Sequence, residues 1–452
     1  MAAFVAGLRA GDLPPDVAGR VKLLILDAFA SAMAGRAMAD RVTVEAVAQR
    51  LAGAGDSTVI GGQGRSLVGA TFVNAYQTTA ATVCDVHRPT LCHVTPEVVA
   101  PALAVAESRA TDGATVLAAV AAGLETTVRV GLALDYPRFR ARGWHSPGVT
   151  GPFGGAVAVA RLLGLDALGV RHALGHAGSQ AAGTFAALGT SAVKMHQARG
   201  AVSGLLAGLL AAEGFDAAPR ILTAADGGLL TTYADGGEPA ALLDGLGRTW
   251  RLEDISLRRW PAASSLQALV GGLLELLKDA DPGADDVAGL RVGVTETAFQ
   301  MHARAGWEDQ LAALQSIRYV AAVVLRDRRC WLEQYAPEHL RDAALDAFAR
   351  EHVQVSIDPT LPPGGATVSL LRRDGAVEAI RVEVPKGDPR QPLTVAEVEA
   401  KFLDATAGTG LADRARSIMT MVGDLEDLES VGHLARALRG STGTPQRRAR
   451  RA

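Results

Sequence analysis

The sequence predicts a mainly α protein with an inserted α+β domain, and three observations support this fold class. Hydrophobic residues make up 48% of the 452 residues and aromatic residues only 4%, so Ala, Leu and Val must form most of the core. Ala and Leu favour helices. Apolar residues recur at helical spacing towards both ends of the chain, whereas strand-like patterns are concentrated between about residues 288 and 386.

The length and the order of these patterns predict two domains. A chain of 452 residues is longer than one hydrophobic core usually supports. We expect a large all-α helical domain built from residues 1–265 and 393–440, with a smaller α+β lid domain over 266–392. Residues 441–452 are basic and rich in turn formers, which predicts a disordered tail. A cleft between two domains is a usual place for a small-molecule site.

Composition also narrows the class of protein. The net charge of -3 gives no reason to expect a nucleic-acid partner. No apolar run reaches the length of a membrane span without Gly or charge, and the N-terminus lacks a signal-peptide pattern. The three cysteines lack metal-site spacing and are expected to be reduced thiols. We therefore predict a soluble, cytoplasmic protein without a membrane partner.

The first helices follow from periodicity and from their boundaries. Prolines at the start and apolar residues at three-to-four spacing predict a packed helix over 14–36. Asp27 within it is expected to pair with a neighbouring arginine or a backbone group. A further helix is expected from about Ser66, and the turn at 111–113 separates two Ala-rich helices.

Later elements are predicted in the same way. We expect helices over 167–187 and 201–212. A strand is predicted over 290–303, a helix over 315–325 and a hairpin over 352–385 with Arg-Asp-Gly at its turn.

Titratable and turn-forming residues interrupt the helical pattern at three places. These are residues 85–101, the Gly-rich stretch around His145, and the segment that contains Lys194, His196 and Arg199 just before a predicted helix. Backbone N–H groups after His145 could face an anion, because a helix begins there. The lysine segment is expected to be a loop open to solvent. We expect the three places to form one site for proton chemistry on a small polycarboxylate.

Six segments in a fixed order also resemble a known family. They are NAYQTTAATVCD followed by His93 and Pro96, WHSPGVTGPFGGAVAVARLLGLD, GSQAAGTF, KMHQARGAVSGLLAGLLAAEGF, RRWPAASSLQ and PKGDPRQPLTVAEVEAKF. Together they resemble the MmgE/PrpD family, which contains 2-methylcitrate dehydratase, cis-aconitate decarboxylase and iminodisuccinate epimerase. The resemblance implies a helical domain with an α+β lid, a homodimer, and no metal or organic cofactor.

The resemblance also implies roles for particular residues. His93 matches the family histidine that follows an acidic loop, His145 the Gly-Phe-His histidine, and Lys194 the active-site lysine. Asp85 is what remains of the acidic loop, and we predict it as a fourth catalytic residue. Gln267 stands where the family usually has a histidine. The predicted substrate-binding residues are Arg88, His87, His196, Arg199, Arg258 and Gln267.

The reactions of this family share one physical problem, because negative charge develops on a carbon next to a carboxylate. A site for this chemistry needs cations that hold the carboxylates, together with a base and an acid on opposite sides of the reacting carbon. Either His93 or His145 could take or give the proton. The cations could come from Arg88, Lys194, Arg199 and Arg258.

Several alternatives stay open from the sequence. His145 could only cap its helix, Asp85 could only pair with Arg88, and His87 and His196 could be supports. The first hypothesis is a cofactor-independent lyase of the 2-methylcitrate dehydratase type that acts on a small di- or tricarboxylate. The alternatives are an epimerase, isomerase or decarboxylase on the same scaffold, or a non-catalytic homologue that binds a carboxylate.

Overall fold

The computed structural model describes residues 1–280, 286–303 and 306–440, so the predicted tail over 441–452 lies outside the described residues. The regular elements of the first part of the chain are almost all helices. Two short strands, β1 (Val86–His87) and β2 (Ile255–Ser256), pair antiparallel within it. Its helices are α1 (Ala2–Gly7), α2 (Pro15–Gly35), α3 (Arg41–Ala52), α4 (Leu67–Ala80), α5 (Thr95–Ser108), α6 (Gly113–Ala133), α7 (Tyr136–Ala141), α8 (Ser146–Leu162), α9 (Ala167–Ser179), α10 (Ala192–Ala212) and α11 (Leu229–Ala234).

The middle of the chain mixes helices with a four-stranded sheet. Its elements are α12 (Gln267–Ala280), β3 (Val287–Val294), α13 (Glu296–His302), α14 (Gln310–Gln315), α15 (Ile317–Asp327), α16 (Pro337–Leu340), α17 (Ala343–Glu351), β4 (Val353–Ile357), β5 (Ala366–Arg372) and β6 (Val377–Val382). The strand order is β4-β3-β5-β6, with β3 parallel to β4 and the other pairs antiparallel. The chain then returns to helices, which are α18 (Val395–Thr406), α19 (Ala415–Gly423) and α20 (Gly432–Leu438).

The buried hydrophobic residues form two large clusters. One draws on the helices before Leu257 and on the helices from Leu393 onward, and the other contains residues between Ala262 and Leu370. The structure thus confirms a mainly α protein with a smaller α+β region. The exact division into domains stays a prediction.

One helix is long and apolar enough to span a membrane, among those that the structure describes. This helix is α6, and 94% of its most apolar window is buried inside the protein, as in the core helix of a soluble protein.

Most predicted elements are present, but three boundaries were wrong. The predicted strand over 290–303 ends at Val294, because the Thr295 side chain accepts a hydrogen bond from the Ala298 N–H and begins α13. The helix predicted over 167–187 ends at Ser179. The helix predicted over 201–212 begins nine residues earlier, at Ala192.

A buried ion pair connects the two ends of the chain. Lys401 of α18 donates through Nζ to Asp27 Oδ1 of α2 at 2.5 Å, and also to the backbone oxygens of Val83 at 2.7 Å and Arg258 at 2.9 Å. The prediction of an arginine or backbone partner for Asp27 was therefore wrong. This lysine fixes two segments, near residues 83 and 258, which both reach the candidate site.

Candidate active site

A cavity of about 430 Å³ lies between the two hydrophobic clusters. This volume falls within the usual range of small-molecule sites, about 300–1,000 Å³. Five predicted site residues line it, namely Arg88, His93, His145, Lys194 and Arg258, and the α+β region contributes residues of α13 and of the loop at 361–364. Among the described residues that line the cavity there is no Asp or Glu. The wall is therefore suited to an anionic ligand.

His93 lies between β1 and α5, where its tautomer is fixed by a backbone contact. Its Nδ1 is 2.7 Å from the carbonyl oxygen of Asp85. Because a carbonyl only accepts hydrogen bonds, the ring proton lies on Nδ1 and the Nε2 lone pair is free. Burial lowers the pKa of His93 to about 3, and the nearby cations Arg258 and Lys194 add to this effect. His93 is therefore neutral at pH 7.

Asp85 lies behind the cavity wall and holds the start of α5. Its carboxylate accepts hydrogen bonds from the Val94 N–H at 2.7 Å, the Thr95 N–H at 3.1 Å and the Thr95 hydroxyl at 2.5 Å. Burial raises the pKa of Asp85 to about 6, and the hydrogen bonds from Thr95 and Val94 oppose that rise. The structure thus places the side chain outside the cavity, while the backbone carbonyl of the same residue orients His93.

His145 immediately precedes α8, as expected, and its ring contacts a second imidazole. His145 Nδ1 lies 2.8 Å from His196 Nδ1 of α10. Burial lowers the pKa of His145 well below its ordinary value, and the neighbouring His196 acts in the same direction. His145 lines the cavity, whereas His196 is half-buried behind it.

Lys194 lies in the first turn of α10 rather than in an open loop, so the predicted solvent access was wrong. Its side chain is 7% exposed, and its Nζ donates to the Thr82 hydroxyl at 3.0 Å. Burial lowers the pKa of Lys194 to about 8, with a further contribution from Arg258. The ammonium is thus mostly charged at neutral pH but close to titration.

Two lining residues adopt left-handed backbone conformations. These are Thr82 with φ of 55° and Leu91 with φ of 46°. A β-branched residue is rare in this region and costs about 1–3 kcal/mol there. Such conformations cluster at functional sites, and here the Thr82 hydroxyl accepts a hydrogen bond from the Lys194 ammonium.

Arg258 and Arg88 differ in how far the protein itself provides hydrogen-bond acceptors for their guanidinium groups. Arg258 is buried and donates through Nε to the carbonyl oxygen of Cys84 at 2.5 Å. Arg88 lies closer to the α+β region, with Nε 3.6 Å from Asp388 Oδ2 and Nη1 3.3 Å from the carbonyl oxygen of Ser264. Its Nε and Nη2 are buried without a hydrogen-bond partner among the described residues. A ligand carboxylate could satisfy both donors.

Three predicted substrate-binding residues contact the protein itself rather than the cavity. His87 is fully buried in β1, with Nδ1 2.7 Å from the Thr90 hydroxyl. The Arg199 guanidinium donates to backbone oxygens of the loop after α9, including that of Gln180 at 2.7 Å. Gln267 accepts from the backbone N–H groups of residues 259 and 260 and donates to the carbonyl oxygens of residues 260 and 262. Gln267 therefore fixes the loop that follows Arg258.

The sequence missed His302 as a site residue because its segment was predicted as a strand. His302 ends α13, is 5% exposed and lines the cavity. Its Nδ1 is buried without a hydrogen-bond partner in the described part of the chain. Burial lowers the pKa of His302 to about 4, so the ring is neutral at pH 7. The α+β region thus adds a polar group to the wall opposite the helices.

This helical protein with a cation-lined cavity was compared with known proteins. Residues 1–241 match the MmgE/PrpD N-terminal domain, and residues 260–427 match the MmgE/PrpD C-terminal domain. A cis-aconitate decarboxylase from Aspergillus terreus is 27% identical, with 96% of this chain and 94% of the relative covered. The cis-aconitate decarboxylase-like protein oryM from Aspergillus oryzae is 28% identical, with 97% and 96% covered. The human cis-aconitate decarboxylase is 24% identical, with 97% and 94% covered.

The chain belongs to the MmgE/PrpD family. The family match and the names of these relatives identify an enzyme of the lyase class.

Proposed function

We propose that the cavity decarboxylates a small unsaturated di- or tricarboxylate of the cis-aconitate type. The observation that carries this proposal is the convergence of Arg88, Lys194 and Arg258 with three neutral imidazoles on one cavity whose described lining contains no carboxylate. The relatives named as cis-aconitate decarboxylases support the choice of reaction. Decarboxylation therefore replaces dehydration as the first hypothesis.

Binding comes first in the proposed mechanism. The three cations hold the carboxylates that stay on the product. One carboxylate binds to Nε and Nη2 of Arg88, which have no hydrogen-bond partner among the described residues. A cation with little solvent around it attracts an anion more strongly than one at the surface. Bound anion also raises the affinity of nearby imidazoles for a proton, because opposite charge favours the charged form.

Carbon–carbon cleavage then releases carbon dioxide. The electron pair of the broken bond forms a new double bond to the adjacent carbon, and the pair of the old double bond moves towards the neighbouring carboxylate, where the cations stabilise the added charge. His145 delivers a proton to carbon and so completes the product. His93, whose Nε2 lone pair can accept a hydrogen bond, orients the reacting carboxylate through a water that donates to both.

The remaining predicted site residues take supporting roles in this proposal. Asp85 is a positioning residue for His93, because its side chain holds the start of α5 and its carbonyl oxygen accepts a hydrogen bond from His93 Nδ1. Gln267 positions Arg258 through the following loop. His87 and Arg199 support the fold around the cavity.

The test is to incubate the purified protein with cis-aconitate, 2-methylcitrate and citrate in D₂O and to follow the mixtures by proton NMR and by carbon dioxide release. We expect carbon dioxide and one deuterium on the product carbon from cis-aconitate. Loss of water from a hydroxy acid without carbon dioxide would indicate a dehydratase. Deuterium exchange alone would indicate an epimerase.

A matched pair of variants links any turnover to the cavity. Lys194→Met should reduce kcat/KM strongly, whereas Lys278→Met on the exposed face of α12 should leave it unchanged. If both variants behave like the wild type, the reaction does not take place in this cavity.

A further inference from the structure

The contact between His145 and His196 links the tautomer of one ring to the tautomer of the other. A neutral imidazole carries one proton on either Nδ1 or Nε2. Because the two Nδ1 atoms are 2.8 Å apart, one must donate and the other must accept. The tautomers of the two rings are therefore complementary. When His196 carries its proton on Nδ1, His145 must carry its own on Nε2.

The two rings have different surroundings, and this sets the direction in which a proton would move from one to the other. His145 lines the cavity, and His196 does not, although it is half-buried and so retains contact with solvent. The ring of His196 lies in a space that two glycines leave open. A Cβ at Gly183 would lie 3.1 Å from His196 Nδ1, and a Cβ at Gly148 would lie 3.3 Å from His196 Cβ. The loop backbone at Gly183 also accepts a hydrogen bond from the His145 N–H at 2.9 Å.

We propose that His145 and His196 form a proton relay that carries a solvent proton to the reacting carbon by a route that does not pass through the cavity. This inference rests on the proposed function, because decarboxylation consumes one proton for each carbon dioxide released. Without such a relay, the proton would have to enter together with water through the cavity.

The proposed step balances in atoms and charge. Water gives a proton to His196 Nε2, the Nδ1 proton of His196 moves to His145 Nδ1, and the Nε2 proton of His145 forms the new C–H bond. Each imidazole is neutral before and after the step, and the water that gave the proton is left as hydroxide in the solvent, which takes over the negative charge of the carbanion. The electron pair for the C–H bond comes from the old double bond, which the pair of the broken C–C bond replaces. Exchange with water after product release restores the first pair of tautomers.

His196 is a positioning and relay residue in this proposal, since it contacts His145 and not the cavity. An asparagine at this position could still hydrogen-bond to His145 but could not transfer a proton through itself. We therefore expect His196→Asn to lower kcat by about tenfold to a hundredfold, a part of the typical acid–base contribution of about 10²–10⁴-fold. KM should stay within about twofold, because the carboxylate-binding cations are unchanged.

The experiment compares His196→Asn, His196→Ala and the control His172→Asn on a half-buried histidine of α9. Added imidazole should restore part of the kcat of His196→Ala, and the control should match the wild type. A wild-type kcat in His196→Asn would overturn the relay. A melting temperature near that of the wild type will show that a lowered kcat does not come from misfolding.

A second measurement does not depend on turnover and keeps the relay separate from the proposed reaction. NMR of the protein with ¹⁵N-labelled histidine reads the tautomer of each ring directly. We expect one of the two rings to be protonated on Nδ1 and the other on Nε2, with this pattern lost in His196→Asn. Two Nε2-protonated rings would overturn the relay even if the enzyme is active. Complementary rings in a protein that turns over no acid would refute the reaction alone.

Discussion

Lys194 shows what burial does to a cation that forms no ion pair with any residue the structure describes. Lysine is almost never fully buried unless it is paired, yet the Lys194 ammonium is 7% exposed and bonds to a hydroxyl. Strongly shifted groups of this kind cluster at functional sites. A substrate carboxylate would provide the missing partner. The sequence identified this residue by its motif, but it could not show the burial, because polar neighbours made the segment resemble a loop.

The shifted pKa of Lys194 leads to a prediction about pH. The ammonium loses its proton as pH rises through about 8, and the cavity then loses one of its cations. We expect kcat/KM to fall above that pH, since this ratio reports the ionisation of the free enzyme. Lys194→Arg should keep some activity and lack this fall, because a guanidinium stays charged. An unchanged pH profile in Lys194→Arg would show that another group is responsible.

Removing the positive charge of Lys194 altogether should lower kcat/KM more than Lys194→Arg does. Lys194→Met leaves a substrate carboxylate without its cation, and truncating one partner of a buried charge pair costs about 2–5 kcal/mol. We expect kcat/KM to fall by at least roughly 30-fold, measured at pH 7 where the wild-type ammonium is charged.

At the scale of elements, periodicity predicted most helices but not their starting points. α2 and the β5–β6 hairpin were predicted closely because caps, prolines and turn residues mark them. α10 was predicted too short, because Lys194, His196 and Arg199 interrupt its apolar pattern. Lys194 lines the cavity, His196 contacts the cavity residue His145, and Arg199 donates to backbone oxygens nearby. A polar break in a helical pattern can thus mark a functional face rather than the end of the helix.

The position of Lys401 in the sequence pattern of α18 indicates a buried ion pair. It occupies the apolar stripe of α18 together with Val398, Phe402 and Ala405, all of which are buried. A lysine in such a stripe requires a buried partner. The partner, Asp27, lies 374 residues away in the chain, and no local pattern could identify it.

The start of α5 gives a prediction for Asp85. In Asp85→Asn, an amide group replaces one of the oxygens that accept hydrogen bonds from Val94 and Thr95, so two donors face each other. We expect the free energy of unfolding to fall by about 1–3 kcal/mol in urea titrations. We also expect a lower kcat, since the turn that orients His93 shifts. A variant with full stability and a strongly reduced kcat would instead indicate direct catalysis by the carboxylate.

The buried ion pair gives a prediction for the packing of α2 against α18. Lys401→Met removes the hydrogen-bonded cation of Asp27, and breaking a buried pair in this way costs about 3–5 kcal/mol. The double variant Asp27→Leu, Lys401→Met should recover much of that loss, because no buried charge then lacks its partner. Equal destabilisation by the single and double variants, measured by urea unfolding, would contradict this explanation.

At the scale of the whole molecule, the cavity depends on segments that are far apart in the chain. Its helical side comes from residues before 260, its other side from α13 and the 361–364 loop, and α18 returns to fix the backbone of Arg258. The sequence predicted the mixture of helix and sheet and the clustering of the main site residues. It could not identify His302, because which face of an element lines a cavity is decided by tertiary packing. The homodimer stays a prediction from the family resemblance, and the cytoplasmic location stays a prediction from the cysteines and the lack of a signal-peptide pattern.

The most direct test of a single carboxylate site is a crystal structure of the protein with tricarballylate, a saturated tricarboxylate that lacks the double bond needed for decarboxylation. We expect its carboxylates within hydrogen-bond distance of Arg88, Lys194 and Arg258, and a carbon next to His145. A tricarballylate bound elsewhere, or one held without any of these three cations, would contradict the account.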